Sequence, residues 1–156
     1  MKDVKEKYEK LRKKYKLPEL EDLISEFPVK LDNPDMLLHD IIDKMSEEIT
    51  HRIQTIESII FPGSSSNPSS LYETNMLKDK KGEAFELYKN MMSILWKGEK
   101  VKSISKEEDM TEFVKSFYGE WKNKLKKKYV EICELFEKKW KEVKLRETST
   151  EMMYHG

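Results

Sequence analysis

Four side chains that could bind a metal ion recur at every fourth position in the first third of the chain. They are His39, Asp43, Glu47 and His51. Residues four apart lie on one side of a helix, so imidazole and carboxylate groups at this spacing could converge on a metal. Glu48 and His51 also match the Glu-x-x-His spacing of carboxylate-bridged di-iron bundles. Metal-dependent chemistry is therefore one functional hypothesis.

The rest of such a metal site is missing from the sequence. A di-iron bundle needs a second Glu-x-x-His on a partner helix, and the only other histidine is His155, near the C-terminus. Asp43 and Glu47 flank the apolar stripe of their helix without belonging to it, so we predict that they face solvent. The pattern favours a solvated acidic face, with no bound metal or cofactor.

Lysines in the last third of the chain form the second group of candidate residues. The candidates for nucleic-acid contact are Lys122, Lys126, Lys127, Lys128 and Lys139. A lysine stripe binds phosphate backbones through the release of counter-ions. The nearby aromatic residues share the spacing of the apolar residues, so we predict that they pack in the core and do not stack on bases. Nucleic-acid binding is the alternative functional hypothesis.

The single cysteine, Cys133, has no partner for a disulfide and no His or Asp within one helical turn. No neighbouring base could activate it, so we predict a buried apolar side chain and no nucleophile. Nothing else in the sequence forms a catalytic motif. The sequence also has no apolar run long enough to cross a membrane and no signal-like start, which predicts a cytoplasmic protein.

The composition is typical of a helix-rich domain, with 38% charged residues, 37% hydrophobic residues, and only 5 Gly and 5 Pro in 156 residues. We predict a single helical domain over residues 1–147 and a flexible tail over residues 148–156. Residues 17–60 are acidic, whereas residues 1–16 and 120–146 are basic. This layout favours an acidic helix beside basic ones, within one molecule or between two.

Helical periodicity predicts an all-α bundle of three long helices and two short N-terminal helices. The short helices cover residues 2–16 and 18–27. The long helices begin at Asn33-Pro34, at Asn67-Pro68 and at Ser105, where Ser105 and Glu108 match a capping box. We predict that the second long helix ends at Gly98, and the polar run 78–82 leaves open whether it is continuous.

The last predicted helix, residues 105–146, is about 60 Å long, roughly 20 Å longer than the other two. The extra length still carries apolar residues, so another element must cover it. The two N-terminal helices are one candidate cover, and a second copy of the protein is the other. We therefore predict a non-catalytic interaction or structural module that binds a protein partner or itself.

Several short segments resemble a family of uncharacterised archaeal helical proteins. These segments are residues 16–20 (KLPEL), 67–72 (NPSSLY) and 85–89 (FELYK), with Trp121 and Trp140. The resemblance covers residues 8–142. It implies an archaeal source and a helical fold, but no activity, cofactor or catalytic residue. Gln54 is the only glutamine and Lys and Glu dominate the charged residues, a bias that indicates a thermophile.

Overall fold

The computed structural model describes residues 2–61, 63 and 68–144, and within these ranges the chain is helical and contains no strand. The helices are α1 (Lys2–Tyr15), α2 (Leu20–Glu26), α3 (Leu37–Ile60), α4 (Ser69–Met76), α5 (Lys81–Ile104), α6 (Glu107–Glu120) and α7 (Lys126–Glu142). A π-helical segment, Trp121–Leu125, joins α6 to α7 without a break. The predicted all-α class is confirmed, whereas the predicted tail lies outside the described residues.

The first long helix, α3, follows its sequence signals closely. The side chain of Asn33 accepts a hydrogen bond of 3.0 Å from the backbone N–H of Asp35, and a 3₁₀ turn, Pro34–Met36, leads into the helix. All eight residues of the predicted apolar stripe are buried: Leu38, Ile41, Ile42, Met45, Ile49, Ile53, Ile56 and Ile60. This stripe forms the centre of the core.

The sequence left open whether the second long helix is continuous, and the structure shows that it is not. The polar run breaks it into the short helix α4, a 3₁₀ turn at Lys78–Lys80, and the long helix α5. The bundle therefore has three long helices, α3, α5 and the α6–α7 rod, but three short ones instead of two. Tertiary packing decides this outcome, because Leu77 just before the turn is buried with 1% of its surface exposed.

The predicted helix end at Gly98 is wrong, since α5 continues to Ile104. Gly98 is buried inside the helix, and a Cβ there would lie 3.1 Å from Cζ of Phe113 and 3.3 Å from Oγ of Ser46. The glycine thus permits close packing of α3, α5 and α6. Ser105 ends the helix instead, in the left-handed conformation with φ 58°.

Ser105 therefore cannot form the predicted capping box. Its hydroxyl donates a hydrogen bond of 2.6 Å to the backbone oxygen of Lys102, in the last turn of α5. Lys106 is the N-cap residue of α6, and its side chain makes no capping hydrogen bond. Ser105 ends α5, so it cannot also cap the start of α6.

The two glycines in these helices should respond differently to alanine. Gly119 has no atom within 4 Å of an added Cβ, so we expect Gly119→Ala to raise the free energy of unfolding by about 0.5–1 kcal/mol through helix propensity alone. Gly98→Ala should not be stabilised in this way, because an added Cβ would lie 3.1 Å from the ring of Phe113 and the ring would have to move. Urea denaturation of both variants checks this, and an equal gain at the two positions would contradict the close packing at Gly98.

The two N-terminal helices match their predictions within two residues at each end. Val4, Tyr8 and Leu11 of α1 are buried, and α1 packs against α6. Phe27, at the end of α2, lies against Phe117 of α6 and Trp121 of the π segment. These helices cover the first half of the rod, and α2 reaches α7 only at its first residue, Lys126, which binds Glu26.

Candidate functional site

The acidic and histidine candidates on α3 do not form a cluster. Asp43 binds Lys102 of α5 at 2.7 Å, and Glu47 lies 3.6 Å from Lys44 on its own helix. Nε2 of His39 is 3.4 Å from Oγ of Ser105, whereas His51 is exposed more than three turns further along the helix. Among the described residues, no group of three or more His, Cys, Asp or Glu side chains is placed to hold a metal ion.

The lysine candidates fall into two groups in the structure. Nζ of Lys126 binds Oε1 of Glu26 on α2 at 2.9 Å, and Lys122 donates a hydrogen bond of 3.1 Å to the hydroxyl of Tyr118. The other three candidates, Lys127, Lys128 and Lys139, are exposed on α7. Lys122 and Lys126 are exposed as well, so their bonds to Tyr118 and Glu26, and not burial, separate them from this second group.

The exposed lysines of α7 share their surface with acidic residues. Glutamates recur along the same helix at Glu131, Glu134, Glu137 and Glu142. Glu137 lies 4.0 Å from Lys141, one turn away. Oppositely charged side chains three or four residues apart neutralise each other's field on a helix surface. The result is a mixed-charge surface and not a continuous basic stripe.

Trp121 holds the rod to the rest of the bundle at the point where α7 begins. Its ring is 2% exposed, its Nε1 donates a hydrogen bond of 3.1 Å to Glu26, and the guanidinium of Arg52 lies 4.5 Å from the ring centre. We call Glu26, Arg52, Trp121 and Lys126 the tryptophan junction. It joins α2 and α3 to the π segment, and so fixes the direction in which α7 leaves the core.

Hydrogen bonds and charge pairing determine the pKa of Glu26, the acidic member of the tryptophan junction. Burial raises the pKa of Glu26, but the hydrogen bonds from Lys126 and Trp121 together outweigh it, so the pKa lies below its ordinary value. A lowered pKa means that folding favours the charged carboxylate over the neutral acid. Glu26 is therefore an ion-pair partner of the junction and not a proton donor.

Beyond the junction, α7 is only partly covered. All 17 residues of α7 lie in the described part of the chain, and none of them is buried. Ile132, Leu135 and Phe136 pack against the core with part of their surface exposed. Near its end, Trp140 lies 5.7 Å from the ring of Tyr72 on α4. The second half of the rod thus has an apolar side with an incomplete cover.

A groove of about 800 Å³ separates the middle of α7 from the start of α5. Ile132 and Leu135 of α7 contribute its apolar lining. Its rims are charged: Lys80, Glu83 and Glu86 before and in α5, and Lys128, Glu131, Glu134 and Lys138 in α7. We call this feature the α5–α7 groove. Its volume lies within the range of about 300–1,000 Å³ that is usual for ligand pockets, and its lining combines apolar and charged side chains.

Two sequence predictions for the last helix fail in α7. Cys133 is exposed, not buried, and Trp140, predicted as core, has 37% of its surface exposed. The physical reason is that α1 and α2 pack on α6 and the π segment, whereas α4 and α5 cover this half of the rod only in part. Partial burial still raises the pKa of the Cys133 thiol, which disfavours a reactive thiolate.

Sequence reasoning missed a second apolar stripe, on the outer side of α5. Trp96 has 68% of its surface exposed and Phe85 has 40%, although both belong to a helix whose other face, with Leu87 and Met91, is buried. The signal was present in the sequence. Phe85, Met92 and Trp96 recur at i, i+7 and i+11, so they share one side of the helix.

No helix among the described residues is long and apolar enough to cross a membrane. Comparison of the chain with protein-family models, with curated proteins and with solved structures gave no match.

Proposed function

We propose that this protein is a non-catalytic interaction module that binds an amphipathic helix of a protein partner in the α5–α7 groove. One observation carries the proposal: α7 is a 17-residue helix with an apolar side and no buried residue. A partner that covers Ile132 and Leu135 would remove apolar surface from water, at about 25 cal/mol per Å². We also propose that the protein is cytoplasmic and that it comes from a thermophilic archaeon.

The rims of the groove define the chemistry of this partner. The α5 rim carries Glu83 and Glu86, whereas the α7 rim mixes Lys128 and Lys138 with glutamates. A complementary helix has apolar residues at i, i+3, i+4 and i+7, and lysines or arginines along the edge that meets α5. A helix is about 10–12 Å wide with its side chains, so it binds the groove through one face.

A photoreactive amino acid placed at the groove tests this proposal. We expect p-benzoylphenylalanine in place of Lys138 to cross-link, in an extract of the source cells, to one peptide with helical apolar spacing. Leu135→Asp should abolish the adduct, because a charge in the apolar lining is costly to cover. Glu86→Lys, which changes the rim without touching the core, should weaken it.

The control for this experiment places the same photoreactive residue at Lys115, which is exposed on α6 away from the groove. Circular dichroism of each variant confirms that the fold is intact. Equal adducts from positions 115 and 138, or an adduct that survives both groove variants, would contradict the proposal.

The geometry supports nucleic-acid binding less well. Of the five candidate lysines, Lys126 already binds Glu26 and Lys122 already binds Tyr118. The other three, Lys127, Lys128 and Lys139, share α7 with glutamates, which lowers the number of counter-ions that binding could release. A mobility shift with DNA or RNA that weakens with salt, and that Lys127→Glu abolishes, would favour this alternative.

A further inference from the structure

The helices α3 and α5 form a layer whose outer side has no covering element in the described structure. Each has 24 residues, and they run antiparallel along their whole length. At one end the ring of Phe61 lies 5.7 Å from the ring of Tyr88, and at the other Asp43 binds Lys102. This pairing places Trp96, near the middle of α5, at the level of Glu47 on α3.

The outer side of α5 combines large apolar groups with lysines. Trp96 is the most exposed of the large hydrophobic residues, at 68%, and Met92 one turn before it is half-buried. Lys89 and Lys100, two turns before and one turn after Trp96, are exposed on the same side. An exposed tryptophan with a polar surround is the composition of a binding hot spot.

The outer edge of α3 carries the opposite charge. Asp43 and Glu47 are exposed there, and each keeps 58% of its side-chain surface in solvent despite a lysine partner. One surface of the molecule therefore has a lysine edge on α5, an acidic edge on α3, and Trp96 between them. Such a surface can complement a second copy of itself.

We propose that two copies of this chain form a dimer through the outer face of α3 and α5. A two-fold interface brings the same patch of both subunits together, so the acidic edge of each copy meets the lysine edge of the other, and the two Trp96 side chains are covered near the centre. Two 24-residue helices side by side offer a face of about 36 by 20 Å. That area, about 700 Å², is close to the roughly 800 Å² per partner of a standard interface.

This dimer is independent of the α5–α7 groove. The groove lies on the side of α5 that carries Glu83 and Glu86, whereas Trp96 and Lys100 lie on its outer side. Glu86 of the groove pairs with Lys89 of the outer side at 3.4 Å, so the variants that separate the two surfaces are Leu135→Asp for the groove and Trp96→Ser for the dimer. The two proposals can therefore fail separately.

Sedimentation velocity over a concentration series tests the dimer. We expect wild-type protein to shift from monomer to dimer, with a dissociation constant that rises with salt. Trp96→Ser should raise this constant by about 30-fold, the effect of removing a hot-spot residue. Dimer formation should also protect the fluorescence of Trp96 from quenching by acrylamide. The difference in quenching between wild type and Trp96→Phe reports the contribution of Trp96, and this difference should shrink as the protein concentration rises.

A charge-reversal pair identifies the proposed arrangement. Lys100→Glu should weaken the dimer about 10-fold, and adding Glu47→Lys in the same chain should restore it, because the swapped charges again face each other. Lys115→Glu on α6 is the matched control and should have no effect. A wild-type chain that stays monomeric at about 1 mM, the weak limit of specific association, would overturn the proposal, as would a dimer that Trp96→Ser leaves unchanged.

Discussion

Trp121→Ala is expected to lower the free energy of unfolding by about 3–5 kcal/mol, the usual cost of removing a large buried aromatic side chain. The ring is 2% exposed and lies against Phe27, Tyr129 and the guanidinium of Arg52. Its loss opens a cavity between α2, α3 and the rod, and leaves Glu26 without one of its hydrogen-bond donors. The free energy of unfolding of natural domains is only about 5–15 kcal/mol in total, so the variant should be marginally stable.

Urea denaturation followed by circular dichroism at 222 nm measures this effect. Trp140→Ala is the matched control, because it removes the same side chain from a position that is 37% exposed. We expect the control to cost about 1 kcal/mol or less. Similar decreases in the free energy of unfolding at the two positions would mean that α7 is packed as tightly as the π segment. That result would contradict the partly open side of α7.

Glu26→Gln should lower the free energy of unfolding by about 1.5–3 kcal/mol at neutral pH, the range for hydrogen bonds to a charged group. The substitution keeps the shape of the side chain but removes the charge that Lys126 meets at 2.9 Å. The Glu26 side chain has 16% of its surface exposed, so solvent screens this pair only in part. Lys126 would then keep its charge without its partner.

The same variant has a defined pH dependence. The pKa of Glu26 in the folded protein lies below its ordinary value of 4.5, so its stabilisation is complete above that value and is lost as the pH falls through the folded pKa. We expect the stability difference between wild type and Glu26→Gln to shrink in acid. Denaturation at pH 7 and pH 3 measures it, and a difference that stays constant would show that Glu26 does not titrate with folding.

Glu48 provides a parallel case within the same protein. Burial raises its pKa, but hydrogen bonds from Lys44 and Arg52 outweigh this effect and keep the pKa below its ordinary value. Both partners lie on α3 itself, whereas the partners of Glu26 lie on the rod. Glu48→Gln should therefore share the acid dependence of Glu26→Gln while leaving the bonds from the rod to Glu26 in place, although it also removes the partner of Arg52 in the tryptophan junction.

The candidate site shows where sequence patterns reach their limit. The lysines of the last helix were visible as a group, but only the fold shows that Lys126 binds Glu26, which is 100 residues earlier in the chain. Trp96 illustrates the opposite case, because its spacing from Phe85 and Met92 was readable in the sequence. Its exposure depends on the side of α5 that α3 and α6 leave open.

The sequence by itself determined the all-α class, the two N-terminal helices and α3, and the side of α3 that faces inward. Capping at Asn33 and the apolar spacing of α3 act within one or two helical turns, so no distant residue is needed to read them. The tertiary structure alone decided how deeply each apolar side is buried and where α5 ends. Gly98 lies inside a helix because Phe113 packs against it, and Cys133 is exposed because α4 and α5 cover only part of α7. Both outcomes depend on contacts between distant residues, which local spacing does not encode.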